Sequence, residues 1–276
     1  MSSVSRFAAA VCVLLGAVAL NASTPPLRIC ADPANLPFSN MRQQGFENVL
    51  AHMVAHDLHR HIQFVWWPQR AEFVEKRLKA QTCDLVMGIT SSFDLMVPTR
   101  PYYRSTYVFV SRRDRNIEAV SLTDRSLRKY RIGAHIIGDD DGAAVPPAEE
   151  MVKRGMLRNI VGYSLYGHPL SENPSAEIIT AVKNGDIDMA IAWGPMAGYF
   201  AKRSAIPLRI RSICPLHDKS AQPFQFDISM GVRRGDDLLL QQLNNFIVRR
   251  REEIRKLLLD YGVPLVDKSD MREECR

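Results

Sequence analysis

Short apolar runs alternate with stretches of helical spacing along the first third of the chain, and the alternation predicts strand and helix in turn. Leu27–Ala31 is an apolar run that Asp32, Pro33, Asn35 and Pro37 break into a loop. Gly45 opens a helix to about residue 60, with Phe46, Val49, Leu50 and Met53 on its buried face. Residues 62–67 predict a second strand. Residues 69–81 predict a second helix with Phe73, Val74 and Leu78 inward, and 84–89 a third strand. This β-loop-α-β-α-β order is the pattern of a parallel sheet covered by helices.

The pattern then repeats. A strand over 107–110 leads into the charged stretch 112–115, which reads as a crossing between two units. Residues 131–137 predict a strand, 146–154 a helix and 160–166 a strand. Asn173 followed by Pro174 predicts a helix start, with an N-cap and proline at the first helical position. That helix ends at Gly185, a strand fills 188–193, and Gly194–Pro195 begins another helix. Residues 78–87 (LKAQTCDLVM) and 182–191 (VKNGDIDMAI) form a quasi-repeat, each a helix end, a tight turn, an aspartate and an apolar strand. Two similar α/β lobes are the natural reading. Strands over 208–213 and 226–232 precede one long helix over 236–261, striped by Leu239, Leu243, Phe246, Ile254 and Leu258. If that last segment returns to the first lobe, lobe one comprises 27–111 and 222–266, lobe two comprises 112–221, and 267–276 is a tail. Two strands then cross between the lobes, and such a hinge permits closure around a ligand.

Composition narrows the class. The chain has 276 residues, 46% of them apolar, which suits a globular protein. Residues 1–22 read as a signal peptide, with Arg6, an apolar stretch over 8–20 and small residues at Ala19, Ala22 and Ser23. That stretch is shorter than the about 20 residues a membrane span needs, and no later segment predicts stable membrane insertion. Cys12 lies within the stretch after Val11, which is not a lipid-attachment pattern. An exported, periplasmic chain with four further cysteines, Cys30, Cys83, Cys214 and Cys275, favours disulfides, and three connectivities are open. The formal net charge of +6 favours acidic partners, and nothing resembles a nucleic-acid module.

Catalytic and metal chemistry have little support. His52, His56 and His59 share a helical face without the H-E-x-x-H pattern, and they read as a solvated face. Asp139, Asp140 and Asp141 read as a turn before the Pro146 helix, because three consecutive side chains do not converge on one ion unaided. No nucleophile and base stand at a recognisable spacing. The expectation is a non-enzymatic protein without metal or cofactor.

Several segments carry a resemblance. They are 28–38 (RICADPANLPF), 45–47, the strand over 83–90, and 175–193. More specific are Trp67-Pro-Gln-Arg70, Thr99-Arg-Pro-Tyr-Tyr-Arg-Ser105, Gly162-Tyr-Ser-Leu-Tyr-Gly167, Trp193-Gly-Pro, Ala197-Gly-Tyr-Phe200 and Phe226-Asp-Ile-Ser-Met-Gly231. In their joint order they resemble the family-3 solute-binding proteins of ABC importers. Within these they resemble the periplasmic MxaJ/XoxJ type, encoded beside PQQ-dependent methanol dehydrogenases. The resemblance spans essentially the whole mature chain. It implies a type II periplasmic-binding-protein fold: two α/β lobes, each a mixed sheet flanked by helices, joined by a two-strand hinge.

It also implies a ligand cleft, with Asp32, Asn35, Phe38, Trp67, Arg70, Thr90, Arg104, Tyr166 and Trp193 as the binding candidates. Asp32 reads equally as a loop cap, Arg70 as a surface residue at a helix start, and Arg104 as an ion-pair residue between lobes. Amino-acid-binding members hold the carboxylate with an arginine shortly after the third strand and the ammonium with a lobe-two acid. Here Ser91, Ser92, Phe93 and Asp94 follow that strand, no arginine comes before Arg100, and Trp193 stands at the lobe-two position. Both halves of a zwitterion clamp are missing, and the aromatic lining favours an apolar or extended ligand, including a peptide segment. In this fold the first and third strands are neighbours, which favours a Cys30–Cys83 bond. Against that bond, Cys30 lies late in its strand and Cys83 early. Cys214 and Cys275 are the remaining pair. The implied partner is a periplasmic PQQ-dependent methanol or alcohol dehydrogenase, or its cytochrome c. The alternative is an ABC-importer receptor that passes a small molecule to its permease.

Overall fold

The computed structural model describes residues 25–68, 82–93, 95–136, 144–165, 173–214 and 222–266. The predicted signal peptide, the helix over 69–81 with Arg70, the Asp139–Asp141 run, Tyr166 and Cys275 lie outside the described residues.

In chain order the strands are β1 (Leu27–Ala31), β2 (Ala34–Asn35), β3 (Ser39–Asn40), β4 (Ile62–Trp66), β5 (Leu85–Thr90), β6 (Val97–Pro98) and β7 (Tyr103–Arg112). There follow β8 (Ile132–Ile136), β9 (Ile160–Ser164), β10 (Met189–Trp193), β11 (Leu208–Ser212) and β12 (Gln225–Val232). The described α-helices are α1 (Phe46–Asp57), α2 (Pro146–Lys153), α3 (Glu177–Asn184), α4 (Gly194–Lys202), α5 (Asp237–Arg249) and α6 (Arg251–Asp260).

The first lobe is built on β1, which lies parallel between β4 and β5. Leu27, Ile29 and Leu85 are fully buried, as strands covered on both faces require. Their core includes Phe46 and Leu50 from α1, and Leu239, Leu243, Phe246, Ile254 and Leu258 from α5 and α6. The C-terminal stripe thus packs into the same core as β1, β5 and α1. In the second lobe β8 lies parallel between β10 and β9, and β10 and β11 flank β7 antiparallel. Alternation along β7 sends Val108 and Val110 to one core and Phe109 to the other.

β7 and β12 cross between the lobes. Tyr103–Thr106 pairs with β12, whereas Tyr107 onward pairs with β10 and β11. β12 continues along β5 through Ile228–Val232. The sequence pattern put the crossing at 112–115, but partners change between Thr106 and Tyr107. β7 stays extended and largely buried across that point, so nothing in its own residues marks it. The 113–115 stretch is a 3-10 turn on the lobe-two side.

Two further elements differ from the sequence pattern. The long C-terminal helix breaks at Arg250, whose backbone (φ −101°, ψ 16°) leaves helical geometry. Its guanidinium holds that corner, bonding Glu253 at 2.8 Å and Asp57 of α1 at 3.4 Å. Asn173 makes no cap bond. A 3-10 turn over Pro174–Ala176 moves the start of α3 to Glu177, beyond the Asn173 side chain.

The quasi-repeat is a real structural repeat. Asp84 donates its backbone N–H to Arg28 O (2.8 Å), and its Oδ2 accepts the Arg28 N–H (3.0 Å). Asp188 repeats this with Arg131, at 3.0 and 2.8 Å. Each aspartate thereby fixes the entry register of a central strand on its parallel neighbour.

Cys30 and Cys83 form a disulfide with Cα atoms 5.6 Å apart. The register objection fails because the chain bends at Thr82 and Asp84, so Cys83 does not continue β5. Cys214 is also disulfide-bonded, and its partner lies outside the described residues. Among the described residues no helix is long and apolar enough to cross a membrane.

Candidate ligand cleft

In open α/β sheets, ligands bind outside the carboxyl ends of the strands. In lobe one those ends are followed by Asp32, Trp67 and Ser91. In lobe two they carry Ile136 and Trp193.

Asp32 caps its loop: Oδ1 accepts the Ala34 N–H at 2.8 Å, and its backbone bonds both ways with Ser39 Oγ. Asn35 sits in the β2–β3 hairpin, which touches the Pro174–Ala176 turn of lobe two. Phe38, in the same hairpin, stands edge-on to Phe46 (5.4 Å between ring centres) and packs against a core of each lobe. The lobes therefore meet over this hairpin. Thr90 ends β5 opposite Ile228.

Trp193 ends β10 and is partly exposed. Its ring stands edge-on to Tyr107 (5.2 Å) and Phe226 (5.9 Å), so three aromatics from β10, β7 and β12 fill the hinge end. Arg104 lies opposite Asp227 in the hinge ladder and holds it with both arms, Nε–Oδ1 at 2.7 Å and Nη2–Oδ2 at 2.5 Å. Trp67 stands apart at the rim and is 39% exposed. Asp32, Asn35 and Phe38 thus lie in the loop after β1 and Thr90 at the end of β5, while Arg104 and Trp193 lie on the hinge strands and the strand beside them.

Sequence reasoning missed Glu47. It lies in the first turn of α1 and is only 6% exposed. Burial, with the Asp32 charge adding, pushes its carboxyl up to about 8. Nothing among the described residues donates a hydrogen bond to that carboxyl. A Cβ on Gly88 would collide with Glu47 Oε1, so the glycine makes room for it. An acid in a helix's first turn ordinarily reads as a partner of the helix dipole, and that bland reading hid this one.

Lobe two has its own buried polar groups. His135, 2% exposed, bonds Ser175 O at 3.1 Å, and burial lowers it to about 4 despite that bond. Asn173 Oδ1 and Ser175 Oγ are buried without partners among the described residues.

A third connection runs behind the hinge. Ser105 Oγ donates to Pro264 O (2.6 Å), and Val266 N–H to Arg104 O (3.1 Å). Tyr261 stacks on Tyr199 of α4 (5.8 Å), stands edge-on to Phe46, and donates its hydroxyl to Gln44 O (2.9 Å). Gly198 of α4 touches the Gly262 carbonyl so closely that a Cβ there would overlap it.

The comparisons agree with this architecture. The model of the bacterial extracellular solute-binding proteins, family 3, matches residues 27–262. Protein MoxJ of Paracoccus denitrificans is 29% identical over 260 residues, 90% of this chain and 92% of that protein. The crystal structure of periplasmic binding protein XoxJ from Methylobacterium extorquens AM1 superposes with a TM-score of 0.71 at 34% identity, covering 88% of this chain and all of that one. The crystal structure of MxaJ from Methlophaga aminisulfidivorans MPT gives 0.73 at 27% identity, covering 87% of this chain and 100% of that one. The chain therefore belongs to the family-3 bacterial extracellular solute-binding proteins, in the MxaJ/XoxJ group, and has their two-lobed type II fold.

Proposed function

We propose that the protein is a periplasmic, non-catalytic binding protein. It would act as an accessory or maturation partner of a PQQ-dependent methanol or alcohol dehydrogenase, docking the enzyme or its cytochrome c. The observation that carries this reading is the Trp193–Tyr107–Phe226 cluster. It fills with aromatic rings the place where a zwitterion would need a lobe-two acid, which favours a segment of a protein over a free amino acid. The net charge of +6 favours an acidic partner. On the same reading, lobe one is 27–106 with about 226–266, and lobe two lies between. Capture from periplasm at low salt, where basic surfaces bind most strongly, is expected to recover the dehydrogenase. Consistent failure to do so would reject the reading.

A second reading, a receptor delivering a small solute other than a typical amino acid to an ABC permease, draws on the bilobal hinge and the buried Glu47 carboxyl. It predicts a solute that raises the melting temperature and whose uptake is lost on gene deletion.

A further inference from the structure

We propose that the face of lobe two around Leu157 is the docking surface for an acidic protein partner. The inference deepens the reading above: it rests on the protein docking a partner and names the face that does so. The face lies at the amino ends of the parallel strands β8 and β9, opposite the carboxyl ends where a ligand would sit.

Three observations place it. The first is apolar exposure. Among the described residues between β7 and β12, Leu157 (65% exposed) and Val152 (42%) are the large hydrophobic side chains left in solvent. Both stand at one corner, where the chain leaves α2 and turns at Gly155. The second is charge. A 3-10 turn over Arg125–Lys129 is stitched to that corner. The Arg128 guanidinium donates to the carbonyls of Arg154 (2.8 Å) and Gly155 (3.3 Å), and Asn159 Nδ2 donates to the carbonyls of Arg128 and Tyr130. The stitching brings the exposed Arg125, Arg128 and Lys129 to the same corner as the exposed Lys153 and Arg158. The acids nearby are engaged elsewhere. Glu150 holds Arg154, Asp124 accepts the Ser126 N–H, and Glu149 accepts the Gln222 side chain.

The third observation is the contrast with the other basic stretches. Along α5 and α6, Arg249 pairs with Asp57, Arg250 with Glu253 and Lys256 with Asp260. Arg209 and Arg211 share Glu118, and Arg112 and Arg115 have Asp114 and Asp188. At the Leu157 corner, by contrast, the five exposed cations meet no carboxylate among the described residues.

An apolar centre within a polar rim is the anatomy of a protein–protein interface. The positive rim draws in an acidic partner and orients it. Two short apolar side chains offer little to insert into a bilayer, which favours a protein over an anionic membrane. A second copy of the same face would meet like charge.

Binding of the purified dehydrogenase, and of its cytochrome c, to the full mature chain tests the face by biolayer interferometry at low and physiological salt. Lys129→Glu with Arg158→Glu is expected to weaken binding about tenfold or more at low salt and to flatten its salt dependence. Leu157→Ser is expected to weaken it several-fold with the salt dependence kept. Arg125→Gln with Lys153→Gln removes charge without reversing it, and is expected to weaken binding several-fold even if the reversal folds poorly. Arg251→Glu with Arg255→Glu makes the same change of net charge on α6 and is expected to stay within about twofold of wild type. Equal weakening by the α6 pair, or binding unchanged by the lobe-two variants, overturns the face and leaves the docking reading standing. No binding of wild type to either protein overturns both. Phosphatidylglycerol vesicles and sedimentation of the free chain complete the test. Vesicle binding or self-association that the Lys129 and Arg158 reversal abolishes, with dehydrogenase and cytochrome binding intact, assigns the face to lipid or to a second copy and overturns the acidic-protein partner.

Discussion

The two lobes solve the same entry problem with the same aspartate and surround it differently. Asp84 and Asp188 each clasp the backbone of the neighbouring parallel strand. Around Asp84 three arginines gather, with Arg28 at 2.6 Å, Arg233 at 3.0 Å and Arg60 at 3.8 Å, and the Cys30–Cys83 bond ties the strands a few residues away. Around Asp188 stands Arg115, itself more than half exposed. Lobe one is thus cross-braced by charge and covalent bond. Lobe two has its own disulfide at Cys214 and the Arg209 and Arg211 pairs with Glu118, but these lie away from Asp188, and Asn173 Oδ1 and Ser175 Oγ have no partner among the described residues where it meets the lobe-one hairpin. The contrast is between an entry aspartate clasped by three arginines beside a disulfide and one held by a single arginine.

The largest test is covalent. The disulfide joins residues 53 apart in sequence, and replacing both cysteines (Cys30→Ser with Cys83→Ser) is expected to cost about 4 kcal/mol by the loop-entropy relation. Urea denaturation followed by circular dichroism reads it. A loss confined to lobe one, with hydrogen exchange in β8–β10 unchanged, supports the contrast, and equal loosening of both lobes breaks it. The next largest is Asp84→Ala, expected to cost about 3 kcal/mol because three arginines lose a shared, nearly buried acceptor. That is the low end of the range for buried pairs, since Arg28 and Arg233 are 35% and 25% exposed. Asp188→Ala is expected to cost about 1 kcal/mol. The pH dependence carries a sign. Burial alone would raise the Asp84 carboxyl, but the Arg28 hydrogen bonds and the Arg28 and Arg233 charges hold it below its usual range. Its stabilisation is therefore present above the unfolded carboxylate range and lost as pH falls through the lowered folded value. Acid titration of wild type against Asp84→Asn should show the variant without that component.

Much of this frame is legible in the sequence, because buried parallel strands must be continuous apolar runs. β1, β5, β8 and β10 all fall within a residue or two of such runs. The Asp84/Asp188 equivalence is visible as a repeat before any contact is known. What stays hidden depends on partners distant in sequence. Arg104 meets Asp227 across 123 residues, and no local pattern announces that register. The partner change within β7 leaves no mark in β7 itself. The Arg250 break looks like good helix, because its cause is an aspartate on α1. Glu47 is hidden for another reason, since its burial comes from Phe38, Gly88 and the tyrosines closing over an otherwise ordinary helix start.

Smaller effects probe what couples the braced lobe to the other. Gly198→Val is expected to cost about 2 kcal/mol, because α4 must move off the Gly262 carbonyl. If the strap transmits rigidity between lobes, the variant should also change the small-angle scattering radius of the free protein, which a purely local clash would not. Tyr261→Phe is the finest cut. It keeps the Tyr199 stack and the Phe46 edge contact and removes only the hydroxyl bond to Gln44 O. A single exposed hydrogen bond contributes about 0.5 kcal/mol, and for a chain of this size the melting midpoint should fall by about 1 °C. Tyr261 joins α4 of lobe two to the entry of α1, the helix that carries Glu47. If the hydroxyl merely adds stability, the small-angle scattering radius of the free protein stays unchanged in Tyr261→Phe. If the bond instead sets how the two lobes sit, that radius changes although the stability loss is small, and the joint between the lobes has to be placed at Tyr261 as well as at β7 and β12.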